Sequence, residues 1–203
     1  ATHIAIVEDI SARKESEEVI KKSEIRFKSL FEDSPFPLWE EDFSEVKNYL
    51  EKLNLINERP ETVSLYFKTH PDVVDKCISL LKIIDVNTMC LKLHKVKTKK
   101  ELILDHSQII DENYISAFTK QLIAITQGEK QIIVDTKIKT SEGEYRDVNL
   151  RWSVIRGYEK TLERIILSTA DITDRKSSES IILKSKQRTE SLINTIDGIV
   201  WEC

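Results

Sequence analysis

Histidine, cysteine, serine and carboxylate side chains could give this 203-residue chain catalytic or metal chemistry, but their spacing assembles no such site. His3, His70, His94 and His106 are scattered, and no pair has the His-Glu-x-x-His or His-x-His spacing that sets two imidazoles on one metal. Cys77, Cys90 and Cys203 are odd in number and lack metal or Cys-x-x-Cys spacing, which predicts reduced thiols in a cytoplasmic setting. A serine nucleophile needs a positioned base, and no Gly-x-Ser-x-Gly elbow presents one. Four glycines are too few for a phosphate-cradling loop or a dinucleotide fingerprint. The chain is therefore expected to hold no metal and no catalytic residue. One constellation does stand out: Asp171 and Arg175 lie one helical turn apart, within reach of a charge-assisted hydrogen bond, and Asp9 and Arg13 repeat the pair.

That pair belongs to a longer repeat. Residues 9–41 and 171–203 align without a gap, and fourteen of the thirty-three positions are identical, including Ser23/Ser185, Leu30/Leu192 and Trp39/Trp201. A period this long marks a domain-sized unit in tandem rather than a solenoid. The expected organisation is the last strand of a preceding module (1–11), a linker helix (12–34), one complete module (35–173), a second linker helix (174–196) and the start of a following module (197–203).

Composition narrows the partners. The chain is 40% hydrophobic and 33% charged, with a net charge of −4, which is an ordinary globular mixture. It has no basic face for nucleic acid and its sign disfavours an anionic membrane. The longest apolar runs, such as Ile132–Val134 and Ile165–Leu167, are strand-sized and too short to span a bilayer. The opening ATHIAIVEDI reads as an internal strand and not a signal peptide.

Apolar residues at Ile20, Phe27, Leu30 and Phe31 follow a helical period in the first linker, and Ile182, Leu192, Ile193 and Ile196 do so in the second. The narrow stripe suits pairing with a second copy or lying across a domain face, and a homodimer through the linker helices is expected. Pro35 to Glu41 gives a short strand. A helix capped by Ser44 then carries Val46, Tyr49, Leu50, Leu53 and Ile56, a second carries Val63, Tyr66 and Phe67, and Pro71 opens a third. Lys82–Val86 is a strand and Asn87 caps a helix bearing Met89, Cys90, Leu91 and Leu93. Thr98 and Glu101 have capping-box spacing. Asp111–Gln127 is a helix with Ile115, Phe118, Leu122 and Ile125 on one face, stopped by Gly128. Alternation marks strands through Ile132–Ile138 and Val148–Val154, with a turn at Ser141-Glu142-Gly143, and Arg164–Ile172 is the last strand. The fold class is α+β: an antiparallel sheet with helices on one face and a helical insertion at about 43–81.

This order, closed by Asp171-Ile172-Thr173-Asp174-Arg175-Lys176, resembles the PAS sensor domain, a five-stranded antiparallel sheet with flanking linker helices. The ending looks like the family's Asp-Ile-Thr motif, and Asp9-Ile10-Ser11-Ala12-Arg13-Lys14 is a second copy. Asp85-Val86-Asn87 resembles the family's early strand-to-helix step, and Ser23–Glu40 and Arg188–Glu202 resemble module starts. The insertion departs from the close hairpin formed by the family's first two strands; it is expected to cover a sheet edge, extend a dimer face or be a plain elaboration. The resemblance implies a sensory, signal-transducing module of a multi-PAS protein. Its partners would be neighbouring PAS domains and a downstream output domain, a histidine kinase of a two-component system. Alternatives are a scaffold that binds no ligand and mediates dimerisation, or an input module of a cyclic-dinucleotide enzyme. The chain itself carries no phosphoacceptor helix or ATP-binding lid. Asp171, Thr173 and Arg175, with Asp9 and Arg13 upstream, would transmit the signal.

Cofactors are argued against residue by residue. The Asn-Cys pair and helix arginine of flavin relatives have no match at Asp111–Gln127, and Cys90 reads as a small buried hydrophobe. Haem would need an axial histidine; His106 is the nominee, but it stands in a Lys- and Asp-rich loop without supporting residues. A small organic ligand remains, in a pocket expected between Trp39, Met89, Leu93, Phe118, Leu122 and Trp152, residues that also suit a filled core.

Overall fold

A computed structural model describes residues 11–104 and 110–200 and the side chains of 14–103 and 110–190. Residues 1–10 of the strand expected at 1–11, with His3 and Asp9, lie outside the described residues, as do His106, Cys203 and the Arg13 side chain. Five strands, β1 (Leu38–Asp42), β2 (Lys82–Val86), β3 (Gln131–Lys139), β4 (Tyr145–Val154) and β5 (Ile165–Asp171), form one antiparallel sheet in the order β2-β1-β5-β4-β3. The helices are α1 (Ser11–Glu32), α2 (Ser44–Lys52), α3 (Pro60–Thr69), α4 (Pro71–Leu80), α5 (Thr88–His94), α6 (Lys99–Leu104), α7 (Glu112–Thr126) and α8 (Thr173–Val200). This is the α+β class read from the sequence, with α2–α4 as the insertion between β1 and β2.

Register follows the period-two pattern, because a slip by one residue would turn every apolar side chain to water. Trp39 faces Val86 on one side and Leu167 on the other, while Trp152 stands between Leu167 and Ile132. That face is apolar and takes the helices. The inserted helices do more than elaborate: Phe43, Val46 and Leu50, Val63 and Phe67, and Val74 and Cys77 join Phe118, Leu122, Trp152 and Ile165 in one core. Trp152 is fully buried and meets Phe43 edge-to-face with ring centroids 5.7 Å apart, a favoured aromatic geometry.

Local chemistry sets the helix ends. Pro60 and Pro71 open α3 and α4 at N1, where the missing N–H is not needed. Asp111 caps α7 by accepting the Tyr114 N–H at 2.9 Å, and Gly128 ends it at φ 68°. Thr98 accepts the Glu101 N–H at 3.1 Å, while the Glu101 carboxylate accepts from Lys97 at 3.0 Å. Four readings need correction. Ser44 is the first residue of α2 and not its cap; the Asp42 carboxylate accepts its N–H at 2.8 Å. The helix stops at Lys52 short of Leu53 and Ile56, since Asn54 and Asn57 turn into the left-handed region, which asparagine tolerates. Ile115 is exposed at the rim of the α7 face. Residues 197–200 continue α8 instead of opening a strand.

Asn87 ties these parts together. Fully buried, its Oδ1 accepts the N–H groups of Leu38 (3.0 Å) and Cys90 (3.2 Å), while Nδ2 donates to the carbonyls of Phe31 (3.0 Å) and Phe36 (2.8 Å). Beside it, Lys99 bridges Glu32 at the end of α1 and Asp85 of β2. Removing the amide would orphan backbone groups on three elements, each costing about 1–3 kcal/mol when buried. Asn87→Ala should therefore lose about 3 kcal/mol or more in urea denaturation, and Asn87→Asp, which lacks the donors, should not restore it. A loss below about 1 kcal/mol would contradict this role.

Candidate functional site

Between the inner sheet face and helices α5 and α7 lies a cavity of about 60 Å³, walled by Trp39, Ile83, Ile138, Leu150 and Leu167 with Glu41, His94, Tyr114, Lys137 and Thr169. A smaller one of about 40 Å³ shares Glu41, Tyr114, Leu150 and Leu167 and reaches Phe118 and Gln121. The larger holds roughly two water-sized groups at about 30 Å³ each, well below the ~300 Å³ or more of cavities that enclose drug-sized ligands.

β1 alternation puts Glu41 on the apolar face with Trp39, and a bulge between β1 and β2 pairs it with Ile83. Ile83 lines the cavity while Ile84 is left exposed. Glu41 is 5% exposed and its Oε2 is buried without a hydrogen-bond partner. Burial pushes its carboxyl up to about 8, so near neutral pH it is mainly the uncharged acid, as expected when low-dielectric surroundings penalise the anion. His94, held by the Asn87-capped α5, meets Trp39 edge-to-face at 5.4 Å. Burial pushes its ring down to about 4, against a hydrogen bond to the Lys139 backbone. Its Nδ1 is buried without a hydrogen-bond partner. Burial raises the Tyr114 hydroxyl too, with the nearby Glu41 charge adding to it. Glu40, on the opposite face, lies 3.0 Å from Arg164 Nη1 in an ion pair, though out of line for a hydrogen bond.

The six residues expected to line one pocket separate. Trp39 alone lines the cavity, Phe118 reaches the smaller one, and Leu122 and Trp152 fill the core. Met89 and Leu93 line an open groove with Pro35, Phe36 and Asp171, because α5 turns them away from the sheet. Glu41 and His94 escaped the sequence reading; the one available signal was an acid at an alternating apolar position of a strand. Cys90 donates to the Leu38 carbonyl at 3.0 Å, and burial pushes its thiol up to about 12. Among the described residues no group of three or more His, Cys, Asp and Glu could hold a metal ion.

The second element of the site is the joint between β5 and α8. Asp171 accepts the Thr173 N–H at 2.9 Å and pairs with Arg146 at 3.1 Å. Although burial alone would raise it, bonds from Thr173 and Arg146 hold the Asp171 carboxyl below its usual value. The expected Asp171–Arg175 contact is not made: Arg175 turns outward to Glu179 at 3.8 Å. Lys176 takes the inward place, 3.2 Å from Asp147 and 3.5 Å from Asp135. Thr173 Oγ1 accepts the Asp147 N–H at 3.0 Å, and the Asp147 carbonyl accepts the Ile172 N–H at 2.8 Å. Helical geometry explains the swap, since a side chain one position along α8 points about 100° away.

No protein-family model and no curated protein matches the chain. Solved structures similar to it include the PAS domain of an HTR-like protein from Haloarcula marismortui (14% identity, TM-score 0.47, covering 78% of this chain and 99% of that one). Another is a domain of a sensory box sensor histidine kinase/response regulator from Geobacter sulfurreducens (12%, 0.45, 75% and 96%). A third is the LOV domain of a blue-light activated histidine kinase from Erythrobacter litoralis (11%, 0.44, 68% and 97%). The five-stranded antiparallel sheet fits a PAS domain. In this fold the cavity sits under α5 and α7, and the joint lies where β5 leaves the sheet.

The two cavity groups impose opposite pH dependences. Glu41 ordinarily titrates near 4.5 and in the fold near 8. Its contribution to stability is whole below pH 4.5 and is lost as pH rises through 8, at about 1.4 kcal/mol per pH unit. His94, lowered from 6.5 to about 4, contributes stability above pH 6.5 that is lost as pH falls toward 4. Between pH 4.5 and 6.5 the slopes offset; above 6.5 only the Glu41 loss remains. Urea denaturation across pH 5–9 should show Glu41→Gln gaining on the wild type by about 2 kcal/mol between pH 6.5 and 8. A difference independent of pH would contradict the assignment.

Proposed function

We propose that the chain is a cytoplasmic sensory PAS module that relays a change in its core through α8 to an output domain, in a histidine kinase of a two-component system. The observation that carries this reading is the Asp147 joint. One β4 residue receives Thr173, Ile172 and Lys176 from the first turn of α8 and its approach. Any shift of β4 against β5 must therefore pull on the foot of a 28-residue helix, and a packed joint with two discrete arrangements turns a small shift into helix rotation. Among the described residues no helix is long and apolar enough to cross a membrane.

The relay is tested by fusing α8 to a histidine-kinase core and measuring autophosphorylation while residues are inserted one at a time. Activity should rise and fall with a period of about 3.6 residues. Asp147→Ala with Thr173→Ala should flatten that variation while costing about 1–3 kcal/mol of stability, since the part-buried Asp147 N–H loses its acceptor. Activity indifferent to insertions and to both substitutions would remove the relay.

The same reading includes a homodimer through the linker helices. Ile20, Phe27 and Leu30 of α1 are 58%, 46% and 65% exposed, and Ile181 and Ile182 of α8 are 68% and 67% exposed. Such a stripe on a long helix suits a second copy of itself. Sedimentation equilibrium should find a dimer, and Ile20→Glu with Phe27→Glu should dissociate it at least tenfold more readily, a change of about 1.4 kcal/mol. A wild-type monomer would overturn this part.

A further inference from the structure

Glu41 is a buried acid without a base. Its Oε2 has no hydrogen-bond partner, burial is what raises its carboxyl, and Lys137, which shares the cavity wall, pairs instead with Asp147 at 3.5 Å. His94 brings Nδ1, a second buried polar atom without a partner, to the same wall. Tyr114 and Trp39 add aromatic surface, and Ile83, Leu150 and Leu167 make the remainder apolar. Buried polar atoms are ordinarily satisfied, and each exception calls for a reason. N–H donors carrying a positive charge would satisfy both atoms at once, with Glu41 ionised and His94 Nδ1 accepting.

We propose that this cavity binds the ammonium head of a small primary amine, which donates to the Glu41 carboxylate and His94 Nδ1 and supplies Glu41 with its counter-ion. An anion would leave Glu41 protonated and give it no counter-ion, and a neutral alcohol would donate one proton and no charge. The aromatic walls favour a cation by their quadrupoles. A volume of about 60 Å³ limits the ligand to a few heavy atoms, the size of methylammonium or ethylammonium. Binding ionises Glu41, and the released proton goes to solvent. Glu41 pairs with Ile165 of β5, the strand that leads into the α8 joint. The inference thus names the ligand class of the proposed sensory module and rests on that reading.

The test is an NMR titration of the chain with methylammonium chloride, with sodium acetate and methanol as comparators, following the side-chain carboxyl carbon of Glu41. The expected result is saturable binding in the millimolar range, which is what a ligand of two or three heavy atoms reaches. The Glu41 carbon should move to its ionised shift at pH 7. Affinity should rise by nearly tenfold per pH unit from about 6 to 8, as deprotonation of the carboxyl ceases to oppose binding. Glu41→Gln, which keeps the shape and the neutral state of the acid, should bind at least tenfold more weakly. The proposal falls if acetate or methanol saturates the site and methylammonium does not. It falls equally if the carboxyl stays protonated in the bound state, if Glu41→Gln binds as well as the wild type, or if no shift appears. Failure here with a phase-dependent kinase fusion removes the amine and leaves the relay; binding with an indifferent fusion does the reverse.

Discussion

Asn87 occupies the point where the end of α1, the start of β1 and the first turn of α5 converge, and its side-chain amide offers two acceptor and two donor positions. All four are taken by backbone groups from those segments. A buried amide with every position filled is directional in a way that apolar contact is not. It sets the height of β1 in the sheet, and with it the positions of Trp39 and Glu41. It also caps α5, which carries His94 to the cavity wall. The neighbouring Lys99 bridge to Glu32 and Asp85 extends the same junction to the surface.

The cavity is a consequence of that placement. A strand that leads with Trp39 must bring Glu41 to the same face two residues later, and the apolar helices above it cannot ionise the acid cheaply. The fold tolerates this because the rest of the inner face is closely packed. Phe43, Phe118 and Trp152 form a contiguous aromatic group beside the cavity. The inserted helices α2–α4 supply much of that packing, so they stabilise the sheet end against which the polar cavity is set.

At the other end of the sheet, function moves from the residue type to its angular position. The charged run after β5 has two adjacent cations, and the helix admits only one of them to the sheet. Lys176 reaches Asp147 and Asp135, while Arg175 pairs along the helix with Glu179. The exposed apolar residues further along α8 and on α1 leave these helices with faces that the described chain does not cover.

Much of the fold is legible in the residues themselves. Alternation at Val148–Val154, the prolines opening α3 and α4, Asn87 and Asp111 as caps and Gly128 as a stop each reflect a local preference of backbone or side chain, and local preferences act before any long-range contact forms. The Ser44 cap and the Arg175 contact failed because more than one neighbouring residue could do each job, and only packing selected between them. The pocket residues were less legible still. Met89, Leu93, Leu122 and Trp152 are apolar and spaced for a core, yet which side of α5 and α7 meets the sheet depends on crossing geometry that no local pattern encodes. By itself the sequence determined most of the elements and their order, since these follow from periodicity and backbone chemistry. Only the tertiary structure decided that Glu41 and His94, fifty-three positions apart, share one wall, because burial and unmet hydrogen bonds are properties of the assembled fold.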